Sequence, residues 1–271
     1  MKKSTIYAIC GVILLVGAVF SGLQVFRSVY APKTVQTELS ETVETAAPSP
    51  VPTPTPAPTA EPLATSEPTP EPTPTPTPYI SPIDFDSLQQ KNSDIYAWLE
   101  IDGTNISYPI VQDPEDETFY LDHNSDRAYS ANGAIFSEAI YNRTDLSDPV
   151  TLLYGHHMRD GAMFGNLQKY YSDADFFADH GIIRVYTPEA TLEYGVFAAI
   201  PYSSSHILYY NDFTDPEVFE TFFDAIFNVR ELGANFNEEY APEVGDRVLI
   251  LSTCLIGNNT RRFLVMATLL A

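Results

Sequence analysis

The chain has 271 residues and a formal net charge of −22. Residues 1–80 hold four basic and six acidic side chains, so residues 81–271 carry a balance of −20. Such a surface repels phosphate backbones and excludes nucleic acid as a partner, and with only two cysteines, Cys10 and Cys254, no disulfide framework can be read.

The chain divides into zones. Residues 1–4 include Lys2 and Lys3, and residues 5–26 are uncharged and rich in Ile, Val, Leu, Ala and Gly. That stretch is long enough to cross a hydrocarbon core and longer than the apolar region of a cleaved signal peptide, about 7–15 residues. It predicts a transmembrane signal anchor at 5–26, with residues 1–4 cytoplasmic and the rest extracellular: a single-pass cell-membrane protein. Residues 27–82 form the next zone, and 15 of the chain's 22 prolines fall between Pro32 and Pro82. Alternating Pro and Thr favours extended polyproline II over a packed core. At ~3.1 Å per residue the segment can reach on the order of 150 Å, so it reads as a stalk.

Residues 83–271 form the globular domain. Asp84 and Asn92 predict the N-caps of two short helices, the second over 94–99. Strand candidates follow at 105–111, 133–136, 150–154, 182–186, 191–200, 247–252 and 263–270, each β-branched or aromatic and bounded by Gly, Pro, Asn or Asp. Residues 217–229 break that habit: Val218, Phe222, Ala225, Ile226 and Val229 recur at helical spacing, behind Pro216 and a cap at Asp215 or Thr214. The fold class is therefore mainly β, a closed barrel of seven to eight strands with short N-terminal helices and one helix inserted before the strand that bears Cys254.

Cys254 ends one predicted strand and Arg262 begins the next across a short polar loop. Antiparallel pairing would bring both to a common mouth of the barrel. Arg261 and Arg262 must point to opposite sides if both are extended, so at most one serves a site. The 150–154 strand ends similarly in Gly155-His156-His157. A thiol needs deprotonation to attack a carbonyl, and a nearby His can accept the proton or balance the charge. An acyl transfer also needs donors for its oxyanion, which a guanidinium supplies. The plain alternatives stand beside this: a buried structural Cys, any of five histidines in a structural role, and an Arg paired with a surface carboxylate. As a metal site, Cys254 with His156 and His157 has no Cys-x-x-Cys or His-x-x-x-His spacing.

Leu251-Ser252-Thr253-Cys254 followed by Arg262 resembles the signature of the sortases, and Tyr154-Gly155-His156-His157 is similar to their histidine motif. The stretches at 94–99 and 108–112, Tyr120-Leu121, 133–136, Met163-Phe164 and the helix at 217–229 are similar to class B sortases in particular. The resemblance runs from about residue 83 to the end. It implies a sortase β-barrel and a two-step transpeptidation that requires no cofactor or metal. Cys254 would be the nucleophile, His156 the acid/base and Arg262 the oxyanion or substrate stabiliser. His157 is the second choice for the base, and Ser252, Thr253, Tyr209 and Tyr210 are candidates for the substrate groove. The implied partners are surface proteins bearing a C-terminal sorting signal and an amine on a peptidoglycan precursor. Competing readings are a different cysteine acyl-transfer enzyme such as a peptidoglycan hydrolase, and a non-catalytic stalked binding domain.

Overall fold

The computed structural model describes residues 79–270. The anchor expected at 5–26 and all but the last four residues of the stalk expected at 27–82 lie outside the described residues. Asp84 caps helix α1 (Phe85–Lys91) as expected, its carboxylate accepting from the Ser87 N–H. Asn92 closes that helix and opens none, its backbone N–H donating to the Leu88 carbonyl. The helix expected at 94–99 is instead strand β1 (Ile95–Ile101). The reason is tertiary: β1 is bonded along both edges, antiparallel to β2 (Ser107–Val111) and to β5 (Ile182–Tyr186). Five of its seven residues are buried, and two-sided pairing with burial outweighs a cap-like local sequence.

The other strands are β3 (Ile135–Phe136), β4 (Val150–Tyr154), β6 (Thr191–Tyr202), β7 (Asn235–Phe236), β8 (Val248–Leu255) and β9 (Asn258–Leu269). Four further helices complete the domain: α2 (Leu167–Tyr171), α3 (Ala174–Asp179), α4 (Ile207–Tyr210) and α5 (Pro216–Phe227). The sheet order is β5-β1-β2-β3-β4-β8-β9-β6-β7, and β5 also pairs with β6. Eight strands therefore close a ring, and β7 lies outside it on β6. Closure leaves no barrel edge open to another chain. Between β6 and β8, the sixth and seventh strands of the ring, lies α5 with Asp215 as its N-cap and Pro216 in its first turn.

Alternation along the strands sorts the core. Leu99, Ile110, Ile135, Leu153, Val185, Val196, Leu251 and Val265, one from each ring strand, meet in a single buried cluster that fills the barrel. Their neighbours Leu152, Ile250, Leu264 and Met266 point the other way and pack with Phe219, Phe222, Phe223 and Ile226 of α5. Burying those four α5 side chains stabilises the contact by roughly 1.5–3 kcal/mol each, as an upper estimate. The wall formed by β4, β8 and β9 thus has an apolar layer on both faces.

The expected single-pass membrane location is corrected by the structure. The longest helix among the described residues, α5, has 12 residues, about 18 Å at the rise of an α-helix and well short of a ~30 Å hydrocarbon core. No helix among the described residues is long and apolar enough to cross a membrane.

Several tyrosines are deep in this core. Burial pushes the Tyr194 hydroxyl up to about 12, and pushes those of Tyr96 and Tyr171 higher still. Above pH 10 the unfolded chain ionises these groups while the folded chain keeps them neutral, so the folded state binds more protons and stability falls as pH rises. The slope is about 1.4 kcal/mol per pH unit for each such tyrosine. Chemical denaturation between pH 9 and pH 12 is expected to show this decline. Tyrosinate absorbance is expected to reach completion only together with unfolding.

Candidate functional site

Strands β8 and β9 form a tight hairpin turned by Ile256 and Gly257. Gly257 has φ +76°, a left-handed conformation that glycine adopts without steric cost. The polar loop expected at 255–261 is therefore mostly strand, and Cys254 lies inside β8 where a strand end was expected. Its Cα partner across the ladder is Arg262, with a register shift immediately beyond, between Cys254 and Leu255. Such irregularities are frequent beside active sites because they re-aim side chains. Here Arg262 Nη1 lies 3.5 Å from Cys254 Sγ and donates to it. Both residues are half-buried.

The choice between the two arginines is decided by this pairing. Arg261 makes a two-pronged contact with Glu231, at 2.7 and 2.8 Å, while Arg262 shares a face with Cys254. That face is the outer wall of the barrel, since Cys254 and Arg262 continue the row of Ile250, Ser252 and Leu264. The barrel's interior is packed, so the expected placement at its mouth is corrected: Leu251, Phe263 and Val265 fill the inside.

Strand β4 runs parallel beside β8, with Tyr154 opposite Ser252, and the Gly155 N–H donates to the Ser252 carbonyl. Two positions further along that register stand His156 and Cys254. The His156 ring is fixed from its far side, its Nε2 lying 2.6 Å from the Leu121 carbonyl oxygen. A carbonyl only accepts, so Nε2 carries a proton and Nδ1 is the ring nitrogen left open. Two glycines make room for this arrangement. A Cβ on Gly155 would meet Phe164 at 2.5 Å, and one on Gly133, at φ +60°, would lie 2.8 Å from the Leu121 oxygen and 3.1 Å from His156 Cδ2. The adjacent His157 turns away into an isolated bridge with Met163, and its Nε2 is buried without a hydrogen-bond partner.

The remaining expected residues are spread out. Ser252 is buried on the same face as Cys254, beside a cavity of about 70 Å³ that Arg262, Tyr154 and His206 also line. Thr253 points into the barrel with its hydroxyl buried and unbonded. Tyr209 and Tyr210 belong to α4, are 66% and 71% exposed, and stack edge to face on each other. Nothing in the sequence singles out His206, which lines the same cavity as Tyr154, or Glu138, which both contact. Glu138 Oε2 accepts from the Tyr154 hydroxyl at 3.1 Å and from His206 Nε2 at 2.8 Å. Burial first, and then the Glu138 carboxylate, push the Tyr154 hydroxyl far above its ordinary value, so it remains a donor. Among the described residues no group of His, Cys, Asp and Glu could hold a metal ion.

A thiol and a guanidinium thus share the outward face, and an imidazole follows the end of the adjoining strand, residue types suited to acyl transfer. Residues 99–270 match the sortase domain family model. The chain is 34% identical over 167 residues to sortase B of Listeria monocytogenes, an alignment that spans 62% of this chain and 65% of that relative. Sortase B of Bacillus anthracis superposes with a TM-score of 0.60 at 31% identity, over 69% of this chain and 83% of that one. The Staphylococcus aureus sortase B–substrate complex superposes with a TM-score of 0.60 at 28% identity, over 69% and 84%. The chain belongs to the sortase family of cysteine transpeptidases, and within it to class B.

Proposed function

We propose that Cys254, His156 and Arg262 carry a two-step transpeptidation that cuts a C-terminal sorting signal and passes the surface protein to an amine of a peptidoglycan precursor. The observation that carries this reading is the cross-strand pair itself, Arg262 Nη1 at 3.5 Å from Cys254 Sγ. A substrate carbonyl attacked by that sulfur would bring its oxygen within reach of a permanently charged donor. The structure of the Staphylococcus aureus relative as a substrate complex supports a substrate-binding role for this fold.

In the first step His156 Nδ1 takes the Cys254 thiol proton, the sulfur forms a bond to the carbonyl carbon of the scissile peptide, and the carbonyl π electron pair moves to the oxygen beside Arg262. Collapse restores the carbonyl and breaks the C–N bond. The leaving amine takes a proton from His156, and a thioester remains. In the second step an incoming amine gives its proton to His156, its nitrogen bonds to the thioester carbon, and the Cys254 thiolate departs. Nδ1 of His156, left open by the Leu121 contact, is the atom available for these transfers. Ser252 belongs to the groove by its face and by the cavity it lines, and Tyr209 and Tyr210 by their exposure near it.

Two outcomes check this reading. Incubating the full chain with a library of Thr–Gly-containing sorting-type peptides and a small amine is expected to give a peptide-mass adduct that Cys254→Ala lacks. Arg262→Ala is expected to lower kcat/KM by ~10²–10³, the scale of losing one oxyanion donor. A peptide product that forms at the same rate with and without amine would mark a hydrolase. Separately, Gly133→Ala places a Cβ against the Leu121 oxygen in a left-handed conformation. It is expected to lower kcat by at least about 10-fold through displacement of His156. Unchanged kcat in a folded Gly133→Ala protein would sink the Leu121 contact as the means of orienting that ring.

A further inference from the structure

Helix α4 is a single turn of four residues, far too short to hold itself together in water. Its position must come from its anchors. The segment 203–206 that leads to it leaves β6 at Tyr202, and Tyr202 is the Cα partner of Arg262. The turn therefore begins directly beside the site, and His206 and Arg262 line the same cavity of about 70 Å³. One anchor is apolar: Ile207 is buried in the cluster beneath α5. The other is the His206 ring. Its Nδ1 accepts from the Tyr209 N–H at 3.1 Å, capping the helix, and its Nε2 lies 2.8 Å from Glu138 Oε2. A single neutral tautomer, protonated at Nε2, satisfies both bonds at once.

Glu138 is fixed in turn. Its carboxylate also accepts from Tyr154, on the strand that presents His156, and its side chain is only 17% exposed. Tyr141 and Tyr209 pack on the His206 ring at centroid distances of 4.9 and 6.5 Å. One imidazole thus ties the exposed turn that carries Tyr209 and Tyr210 to the barrel wall that carries the candidate catalytic set.

We propose that His206, anchored by Glu138, is a positioning residue for the substrate peptide, holding α4 in the place where that peptide is received. This rests on the transpeptidase reading above. With the ring removed, α4 keeps only its apolar anchor at Ile207, and the incoming peptide must order the rest of the turn, a cost borne in binding and not in bond making. The effect therefore falls on KM and spares kcat.

The test uses the full chain as wild type, His206→Ala and His206→Asn, with the Thr–Gly peptide that acylates wild type best. KM and kcat are measured alongside the rate at which iodoacetamide alkylates Cys254. The Ala variant is expected to raise KM about 10-fold, the scale of one lost helix cap together with one charge-assisted hydrogen bond. Its kcat and alkylation rate stay within about 2-fold of wild type, since the groups that act on the thiol are untouched. Asn, which can still cap the turn, is expected to recover part of the loss. Unchanged KM in His206→Ala overturns the positioning role alone, as does a joint fall in kcat and alkylation rate, or an Asn variant no better than Ala. A wild type that alkylates but acylates with no peptide overturns the transpeptidase reading and this inference with it.

Discussion

The pairing of Cys254 with Arg262 across the β8–β9 hairpin is the constraint on which the rest of the site depends. Two residues eight positions apart become direct neighbours because a two-residue turn forces the strands back on each other. Ladder hydrogen bonds fix the distance between the backbones, and alternation then sets both side chains on one face. No side-chain network is needed to bring a sulfur and a guanidinium together. The register shift just past the pair adds the local freedom that a regular ladder would deny.

From this pair the other parts follow in order. The parallel contact of β4 with β8 brings the end of β4, just before His156, beside the stretch of β8 that leads to Cys254, and the Leu121 carbonyl engages Nε2 and leaves Nδ1 open. Two glycines keep the space that this close approach requires. On the neighbouring side β9 pairs with β6, so the chain leaving β6 at Tyr202 starts α4 beside Arg262. The Glu138–His206 contact joins these two flanks, β4 on one side and α4 on the other. The site is thus bounded on each side by elements whose positions trace back to strand pairing.

Much of this was legible in the sequence. The Cys254–Arg262 spacing, the strand ending in His156 and the helical periodicity over 217–229 each stood in a few consecutive residues, where local pattern and tertiary role agree. The helix expected at 94–99 failed because β1 is packed or paired along both faces and both edges. A strand so buried loses the alternation that would betray it, while Asn92 and Asp94 mimic caps. Glu138 and His206 could not be joined on the page at all. They stand 68 residues apart, and their meeting depends on β3, a two-residue strand, lying next to β4. The site's side of the wall was misjudged for a related reason: alternation gives two faces, but only the partners of each face say which is inside.

That outward placement has a chemical logic. The interior of an eight-stranded barrel is just large enough for its own side chains, and here it is filled by residues from every ring strand. A thiol or guanidinium placed there would lose hydration with no room for a substrate. A substrate that is part of a folded protein cannot enter a closed cavity; it must lie across a surface with both ends free. The outer wall meets that need while remaining rigid, because an apolar layer sits behind it and α5 is packed along the adjoining stretch. Paired strands hold the candidate reacting groups Cys254 and Arg262, and short anchored turns such as α4 lie beside them. Precision and access are thereby assigned to different elements of one wall.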